Sequence, residues 1–288
     1  MSRKAYNGSG YLTFYQQLAT ANPCYQQNGD RKKTTHLILH STWADNPNLK
    51  RYVTPDDGML GENKYKNGWN SPDSDTLVHA VIGKNKNGFV EAYQIAPWGK
   101  LVWGCGKGVN GSANSFAIQV EMCEDKTLGA NYAKETYNVA VKLFAHLCKV
   151  YKIPVENIWS HDEAGLKGYA SDHDDPDKCW WKKVKSGLTM DGFRKDVAAL
   201  LGGEKTKEQL PAEASGSLFR VQVGAFTLKK NSEYKLQALK SAGYDAFVTQ
   251  VSGWWKVQVG AYKKRENAEK QVAKLEKDGF SAIIVKVK

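Results

Sequence analysis

Residues 160–176 concentrate side chains that can bind a metal ion or move a proton. Two histidines and four aspartates lie within fifteen residues: His161, His173, Asp162, Asp172, Asp174 and Asp175. A catalytic zinc site needs three protein ligands, such as imidazole nitrogens or carboxylate oxygens, and one open position for water. We therefore expect this polar segment to supply two of three zinc ligands, with His161 as one of them. Spacing alone leaves His173 and Asp175 open as the other.

The third ligand is expected upstream, where residues 34–42 predict a core strand that runs into a polar end. In a strand, His36, Ile38 and His40 lie on one face. Because α/β proteins place their sites where strands end, His40 is the expected third ligand. His36 lies deeper in the strand and is expected to be packed.

A second predicted strand, residues 116–122, carries a carboxylate in apolar company near its end. That carboxylate, Glu121, could accept the proton of a zinc-bound water, whose pKa the metal lowers toward neutrality. The alternative is an exposed glutamate at a sheet edge. If His173 is not a ligand, it could stabilise an oxyanion or act as a general acid.

The remaining elements must hold these side chains in place. Further strands are predicted over residues 76–83, 89–95 and 101–104. Apolar spacings of three and four predict a helix over residues 131–151, and a last helix is expected over 193–201. Residues 11–18 are expected to form a short helix, and the polar residues 43–74 an irregular excursion near the site. These elements indicate an α/β domain over residues 1–202.

The C-terminal part is an internal repeat. VQVGAF at residues 221–226 recurs as VQVGAY at 257–262, an offset of 36, and later positions agree in phase. Each half predicts strand, helix, strand, so residues 217–288 are expected to form a βαββαβ domain with two helices on a four-stranded sheet. Residues 203–216 lack apolar periodicity and predict a linker.

Charge is unevenly distributed along the chain. The net charge is +11, and residues 217–288 hold fourteen lysines and arginines against six acidic residues, a net charge of +8. A basic module of this kind suggests an anionic polymer as partner, either nucleic acid or an anionic cell wall. The alternative is a solvated lysine surface that only aids solubility.

The composition excludes several classes of protein. There is no run of eighteen apolar residues and no apolar signal core near Met1, so we expect a protein made in the cytoplasm that acts outside only after release. Five scattered cysteines without a CxxC pair indicate neither a disulfide framework nor a four-thiolate zinc site.

Five stretches, in their order and spacing, resemble zinc-dependent N-acetylmuramoyl-L-alanine amidases of the type-2 class. They are ILHST (38–42), VHAVIG (78–83), LVWG (101–104), NSFAIQVE (114–121), and Ser160-His161 with Asp175-Pro176. GYASDHDDP (168–176) is similar to a form found in amidases of clostridial phages and autolysins. The resemblance implies an α/β fold with a central mixed sheet flanked by helices.

The same resemblance assigns roles to residues. Family members place the last zinc ligand directly before a proline, which favours Asp175 beside His40 and His161. The family's catalytic lysine stands two residues earlier, where this chain has His173, and a histidine there implies a pH dependence that a lysine lacks. Glu121 matches the family's strand-end glutamate. His79 and Trp103 are expected to line the substrate cleft.

The repeat resembles a SPOR domain, a small ferredoxin-like α+β module that binds peptidoglycan, notably glycan strands stripped of stem peptides. Together the two resemblances imply a lytic cell-wall hydrolase that uses Zn²⁺. It would cut the amide between N-acetylmuramic acid and L-alanine of the stem peptide. We expect a monomer or dimer with no membrane or nucleic-acid partner, released through a holin as a phage endolysin or by mother-cell lysis.

Two alternatives stay open at this point. One is a non-catalytic peptidoglycan-recognition protein on the same fold, because some family members lack the third ligand. The other is nucleic-acid binding by the basic C-terminal domain, since a basic βαββαβ sheet with aromatic residues also describes RNA-binding domains. VQVGAF does not match the aromatic motif of those domains.

Overall fold

A computed structural model describes residues 3–202, 218–226, 229–251, 253–278, 280 and 282–287. The chain divides into two compact units, Met1–Thr206 and Lys207–Lys288. The linker predicted over residues 203–216 lies outside the described residues, and its boundaries stay a prediction. Within the described ranges, no helix is both long enough and apolar enough to cross a membrane.

The N-terminal unit is built on a seven-stranded sheet of order β1-β2-β5-β4-β6-β3-β7. Its strands are β1 (Lys4–Gly8), β2 (Leu12–Gln16), β3 (His36–Ser41), β4 (Ala80–Lys84), β5 (Val90–Gln94), β6 (Ala117–Met122) and β7 (Ile158–Ser160). Its α-helices are α1 (Pro23–Gln27), α2 (Gly129–Tyr151), α3 (His161–Leu166) and α4 (Met190–Gly202). The sheet is mixed, as expected, because β4 runs parallel to β6 and antiparallel to β5.

Strand β3 is the centre of the part of the sheet that concerns the site. It runs parallel to both β6 and β7, with His40 paired to Glu121 and Leu39 paired to Ser160. Parallel strands end at the same edge of a sheet, so the carboxyl ends of β3, β6 and β7 meet. Residues that stand at or directly after these ends are brought together.

The two faces of β3 are buried in different cores. Leu37 and Leu39 belong to a large apolar cluster with the buried face of α2, whereas Ile38 packs on the opposite side. Helix α2 buries Tyr137 and Phe144 in this cluster, and it is followed by Lys152 in the left-handed conformation. Packing on both faces fixes β3 and therefore the direction of the side chains at its end.

Two predicted elements differ in the structure. Residues 12–16, expected in a short helix, form β2, because the turn after Gly8 lets them pair with β1 while they also join β5. Residues 101–104, expected in a strand, form none. The Leu101 N–H donates to the carbonyl of Gly29, in an irregular segment, instead of joining a strand ladder.

The C-terminal unit confirms the predicted βαββαβ order. It consists of β8 (Leu218–Phe226), α5 (Lys229–Ser241), β9 (Phe247–Val251), β10 (Trp254–Tyr262), α6 (Arg265–Lys277) and β11 (Ile283–Val287). The sheet order is β11-β8-β10-β9, and every adjacent pair is antiparallel. The two repeated strands, β8 and β10, therefore lie side by side at the centre. Val221 and Val257, which are repeat equivalents, are both fully buried beneath the helices.

Candidate metal centre

The structure brings His40, His161 and Asp175 together at the carboxyl edge of the sheet. His40 is near the end of β3, and His161 follows β7 directly as the first residue of α3. Asp175 comes from the loop after α3. All three are buried, with 1%, 5% and 2% of their surfaces exposed. This is the ligand set that the resemblance implied, and it forms a compact group of donors.

The donor atoms lie at or near the separations of ligands around one tetrahedral ion. His40 Nδ1 lies 3.1 Å from His161 Nδ1, and Asp175 lies 3.5 Å from His40 Nδ1 and 3.3 Å from His161 Nδ1 through its two oxygens. Ligands about 2.0–2.2 Å from a zinc ion at tetrahedral angles are about 3.3–3.6 Å apart. The two contacts of the carboxylate fall in this range and the two nitrogens lie slightly closer together, so the three residues can surround one zinc ion.

The contacts of the two Nε2 atoms of His40 and His161 also favour a metal ion at this centre. Cys105 Sγ donates to Gln119 Oε1 and lies 3.7 Å from His40 Nε2. Ser171 Oγ donates to the Cys105 carbonyl and lies 3.4 Å from His161 Nε2. Since both groups already use their hydrogens, each is best placed to accept from Nε2–H. Both Nδ1 atoms then carry lone pairs that point at each other, an arrangement that a cation between them stabilises.

Electrostatics favour the protonation states that a metal requires. Burial lowers the pKa of His40, so its imidazole is neutral. Burial opposes ionisation of Asp175, but the neighbouring imidazoles of His161 and His40 hold its pKa below the ordinary value. The backbone N–H of Ser41 also donates to Asp175 Oδ2 at 3.0 Å. A neutral imidazole and a carboxylate are suitable zinc donors.

The start of α3 fixes the position of His161. Ser160 Oγ accepts from the N–H of Glu163, and Glu163 accepts from the N–H of Ser160, which together make a capping box. Arg194 of α4 donates to both carboxylate oxygens of Glu163. A cap of this type defines where a helix begins, so it sets the direction of the first side chain, His161.

Glu121 lies on β6 directly beside His40 on β3. It is 9% exposed, and its Oε2 atom is buried without a hydrogen-bond partner. Burial, together with the charges of Asp175 and Glu124, raises its pKa well above the usual value. The structure thus contradicts the alternative of an exposed edge glutamate. A buried, unpartnered carboxylate beside a metal cluster is suited to taking up a proton.

His173 lies at the rim of the cluster. Its side chain is 46% exposed, and its Nδ1 is 3.8 Å from Asp175 Oδ1. The ring stacks on His161 with centroids 4.4 Å apart, and its other neighbour is Trp43, whose ring meets it edge-on at 5.9 Å. His173 is therefore open to solvent and close to the candidate ligands without being buried among them.

The residues expected to line the cleft are placed differently. His79 has no exposed surface, and its Nδ1 accepts from the N–H of Gln119 while its Nε2 contacts Arg31 and the Lys100 carbonyl. This burial contradicts the prediction that His79 touches substrate, and it makes His79 a support for β6. Trp103 is half-buried against a second core cluster, and its cleft role stays a prediction.

A buried glutamate that sequence reasoning missed lies behind the cluster. Glu124 is fully buried and accepts from Ser41 Oγ at 2.7 Å, while Cys179 Sγ lies 3.4 Å from the same oxygen. Lys126 forms an ion pair with its other oxygen. Glu124 thereby joins the end of β3 to the segment that follows Asp175. The available signal was an acidic residue just after a wholly buried strand, with a lysine two positions later.

The fold and the site define an α/β domain with a candidate His-His-Asp metal centre at the edge of its sheet. The chain belongs to the N-acetylmuramoyl-L-alanine amidase family, because residues 30–178, about half of its length, match the sequence profile of that family. Residues 215–286 match the SPOR domain.

Individual proteins and solved structures are similar to parts of the chain. An N-acetylmuramoyl-L-alanine amidase CwlA from a Bacillus species is 28% identical over 133 residues, which cover 46% of this chain and 45% of the relative. The chain thus spans less than half of the length of that curated relative. The peptidoglycan binding domain of the B. subtilis cell wall lytic enzyme CwlC is 33% identical, covering 27% of this chain and all of that domain, with a TM-score of 0.25. A mutant endolysin from Bacillus subtilis is 22% identical, covering 63% and 96% of the two chains, with a TM-score of 0.41.

Proposed function

We propose that this protein hydrolyses the amide bond between N-acetylmuramic acid and L-alanine in peptidoglycan and thereby lyses bacterial cell walls. The observation that carries the proposal is the buried cluster of His40, His161 and Asp175, with zinc-like spacing, in a domain of this family. The complete ligand set argues against a recognition protein without catalytic activity.

We assign each polar group at the centre a role. His40, His161 and Asp175 would hold a zinc ion, which would lower the pKa of a water molecule and polarise a carbonyl group. Glu121 takes the proton from the attacking water, since its Oε2 has no other partner. Its raised pKa lets it keep that proton and pass it to the departing L-alanine amine.

His173 is proposed to stabilise the charge that develops on the scissile carbonyl oxygen. Its half-exposed ring is within reach of a substrate at the rim of the cluster. A donor aimed at a developing oxyanion contributes substantially to the rate of acyl transfer. His173→Ala should therefore lower kcat more than it raises KM. A variant whose KM rises while its kcat is unchanged would reject this role.

The proposed reaction is tested on purified peptidoglycan. Digestion should release new N-terminal L-alanine without new reducing sugars. The appearance of reducing ends, without N-terminal L-alanine, would show a glycosidase instead and would end the proposal.

The proposed metal is tested by analysis and by substitution. The purified protein should contain about one zinc ion per chain, and excess chelator or His161→Ala should abolish activity. The matched control is His36→Gln, because His36 is on the same strand but packs against Trp159 and Phe116. Full activity in the His161 variant, or after complete metal removal, would exclude the zinc mechanism.

We propose that the C-terminal unit binds peptidoglycan glycan strands. The SPOR match supports this, as does its net positive charge. Full-length protein should co-sediment with peptidoglycan and should not be retained by RNA. Retention by RNA alone would favour the nucleic-acid alternative.

The proposed substrate also implies the place of action. We propose that the protein reaches the wall after release, through a holin or by lysis of a mother cell. In a producing culture, the protein should stay with the cell contents until lysis begins. Its continuous appearance in the medium of intact cells would contradict release by lysis.

A further inference from the structure

Trp43 is a large aromatic side chain that the fold leaves exposed beside the metal centre. It follows His40 by three residues and exposes 56% of its surface. Its ring meets the ring of His173 edge-on, and His173 in turn stacks on the ligand candidate His161. Three aromatic rings thus lead from the metal centre to solvent, and Trp43 is the outermost of them.

The backbone around Trp43 is held in an uncommon conformation. Trp43 has a φ of 57°, in the left-handed region that large side chains rarely adopt. Nearby residues on both sides of Trp43 are hydrogen-bonded to the segment after β6. The Glu124 N–H donates to Thr42 Oγ1, and the Asn46 N–H donates to the Glu124 carbonyl. Backbone strain at an exposed residue, in a loop held by hydrogen bonds, is common at ligand-binding sites.

The two sides of the scissile bond differ in chemistry, and so do the surfaces beside the cluster. A cavity of about 250 Å³ is lined by residues that include Asp162, Asp172, Leu166 and Val109. Carboxylates with exposed aliphatic side chains suit a peptide that carries an ammonium group. An indole offers a flat apolar face with a polar N–H at its edge, which suits the C–H face of a pyranose ring.

We propose that Trp43 binds the N-acetylmuramic acid ring of the substrate by stacking, and so selects for the glycan side of the scissile amide. The proposal rests on the amidase function proposed above. It assigns Trp43 to substrate binding and leaves the chemical step to the residues of the metal centre.

The test compares ligands that represent the two sides of the bond. The full chain is assayed with a soluble disaccharide–tripeptide substrate, and inhibition is measured with the peptide-free disaccharide and with the free tripeptide. In Trp43→Ala, KM and the inhibition constant of the disaccharide should rise about tenfold, which equals ~1.4 kcal/mol. The kcat value and the inhibition constant of the tripeptide should change less than about twofold.

Two further variants separate the side chain from its backbone. Trp43→Phe keeps an aromatic face and should recover most of the disaccharide binding. Trp43→Gly removes the ring but suits the left-handed backbone, so its Tm should be equal to or above that of the wild type while disaccharide binding is lost. Tyr65→Ala, at a highly exposed aromatic residue of the 43–74 segment, is the matched control and should change none of these constants.

Several outcomes would overturn the proposal. They are a wild type that the disaccharide does not inhibit, a Trp43→Ala variant with unchanged inhibition by the disaccharide, or a variant in which tripeptide binding is lost instead. Failure of the proposed function looks different, because then the wild type releases no N-terminal L-alanine from the disaccharide–tripeptide.

Discussion

At the scale of the residue, the candidate metal centre depends on how burial and hydrogen bonds affect four polar side chains: those of His40, His161, Asp175 and Glu121. The hydrogen-bond partners of His40 and His161 leave their two Nδ1 atoms facing each other beside the carboxylate of Asp175. Glu121, in contrast, has an oxygen with no partner. A buried carboxylate without a partner lowers stability, and this cost is consistent with a group kept for chemistry.

Glu121→Gln tests that interpretation, because the amide has the same shape but cannot take up a proton. We expect kcat to fall by about 10²–10⁴-fold, the usual contribution of a general base. The Tm should change little, since burial already disfavours the charged form of Glu121, and the zinc content should be unchanged. Glu156→Gln, at an exposed glutamate, is the control. An active Glu121→Gln variant would assign the proton transfer to another group.

At the scale of the element, the parallel register of β3 with β6 and β7 assembles the site. The pairing of His40 with Glu121 follows from this register, and the capped start of α3 adds His161. Two features away from the candidate metal centre, the end of α2 and the β1–β2 hairpin, give predictions that can be tested apart from activity.

The end of α2 carries backbone strain at Lys152, whose φ is 54° and ψ is 40°. Lys152→Gly should raise the free energy of unfolding by about 1 kcal/mol, because glycine adopts the left-handed conformation without a steric penalty. The same substitution at Lys195, an exposed residue inside α4, should lower stability by about 1 kcal/mol. Urea denaturation of both variants measures the two free energies of unfolding. If both substitutions change that free energy in the same direction, strain at Lys152 is not the cause.

The β1–β2 hairpin packs on α2 through His146. Its Nδ1 is 2.8 Å from Ser9 Oγ, and its ring contacts Phe14. Burial, with a smaller effect of Lys149, lowers the pKa of His146 below 6.5. As the pH falls through 6.5, the unfolded chain takes up a proton that the folded chain does not, so stability decreases. His146→Gln should show a smaller loss of stability between about pH 7 and pH 5; an unchanged loss would remove His146 as its source.

The sequence predicted most of the buried strands and helices, and fewer of the elements at the edge of the sheet. Strands β3 and β6, helix α2 and the C-terminal repeat have strong apolar periodicity, and all four were confirmed. The segment 12–16 was mistaken for helix because its strand character comes from pairing with the neighbouring β1 and with β5, which is distant in sequence. His79 was misplaced for a similar reason: its partners, Arg31 and Gln119, lie far away in sequence. Trp43 was not recognised because exposure and φ are properties of the folded chain.

At the scale of the whole molecule, a catalytic candidate and a binding candidate are joined in one chain. The C-terminal unit carries most of the net positive charge, while the N-terminal unit carries the metal centre. A polymer-bound enzyme meets its scissile bonds at a high local concentration. The C-terminal unit should therefore matter most on intact walls and least on soluble fragments.

Salt should weaken the attachment of the full chain to intact cell walls. Raising NaCl from about 0.05 M to about 0.5 M shortens the range of electrostatic attraction, so less protein should co-sediment with walls that carry anionic polymers. Walls stripped of those polymers are the control and should show a smaller effect. Salt-independent binding to both would indicate that the basic surface plays no part.

The five cysteines have a consequence for durability in oxidising surroundings. All are free and buried. Burial raises the pKa of each thiol, for Cys148 to about 12, so few thiolates exist at neutral pH. Since oxidants attack the thiolate, the native protein should react slowly with a thiol-specific dye and should label at all five positions once unfolded. Rapid labelling of the native protein would contradict protection of the thiols by burial. Slow labelling would mean that the protein keeps its thiols reduced without a reducing environment.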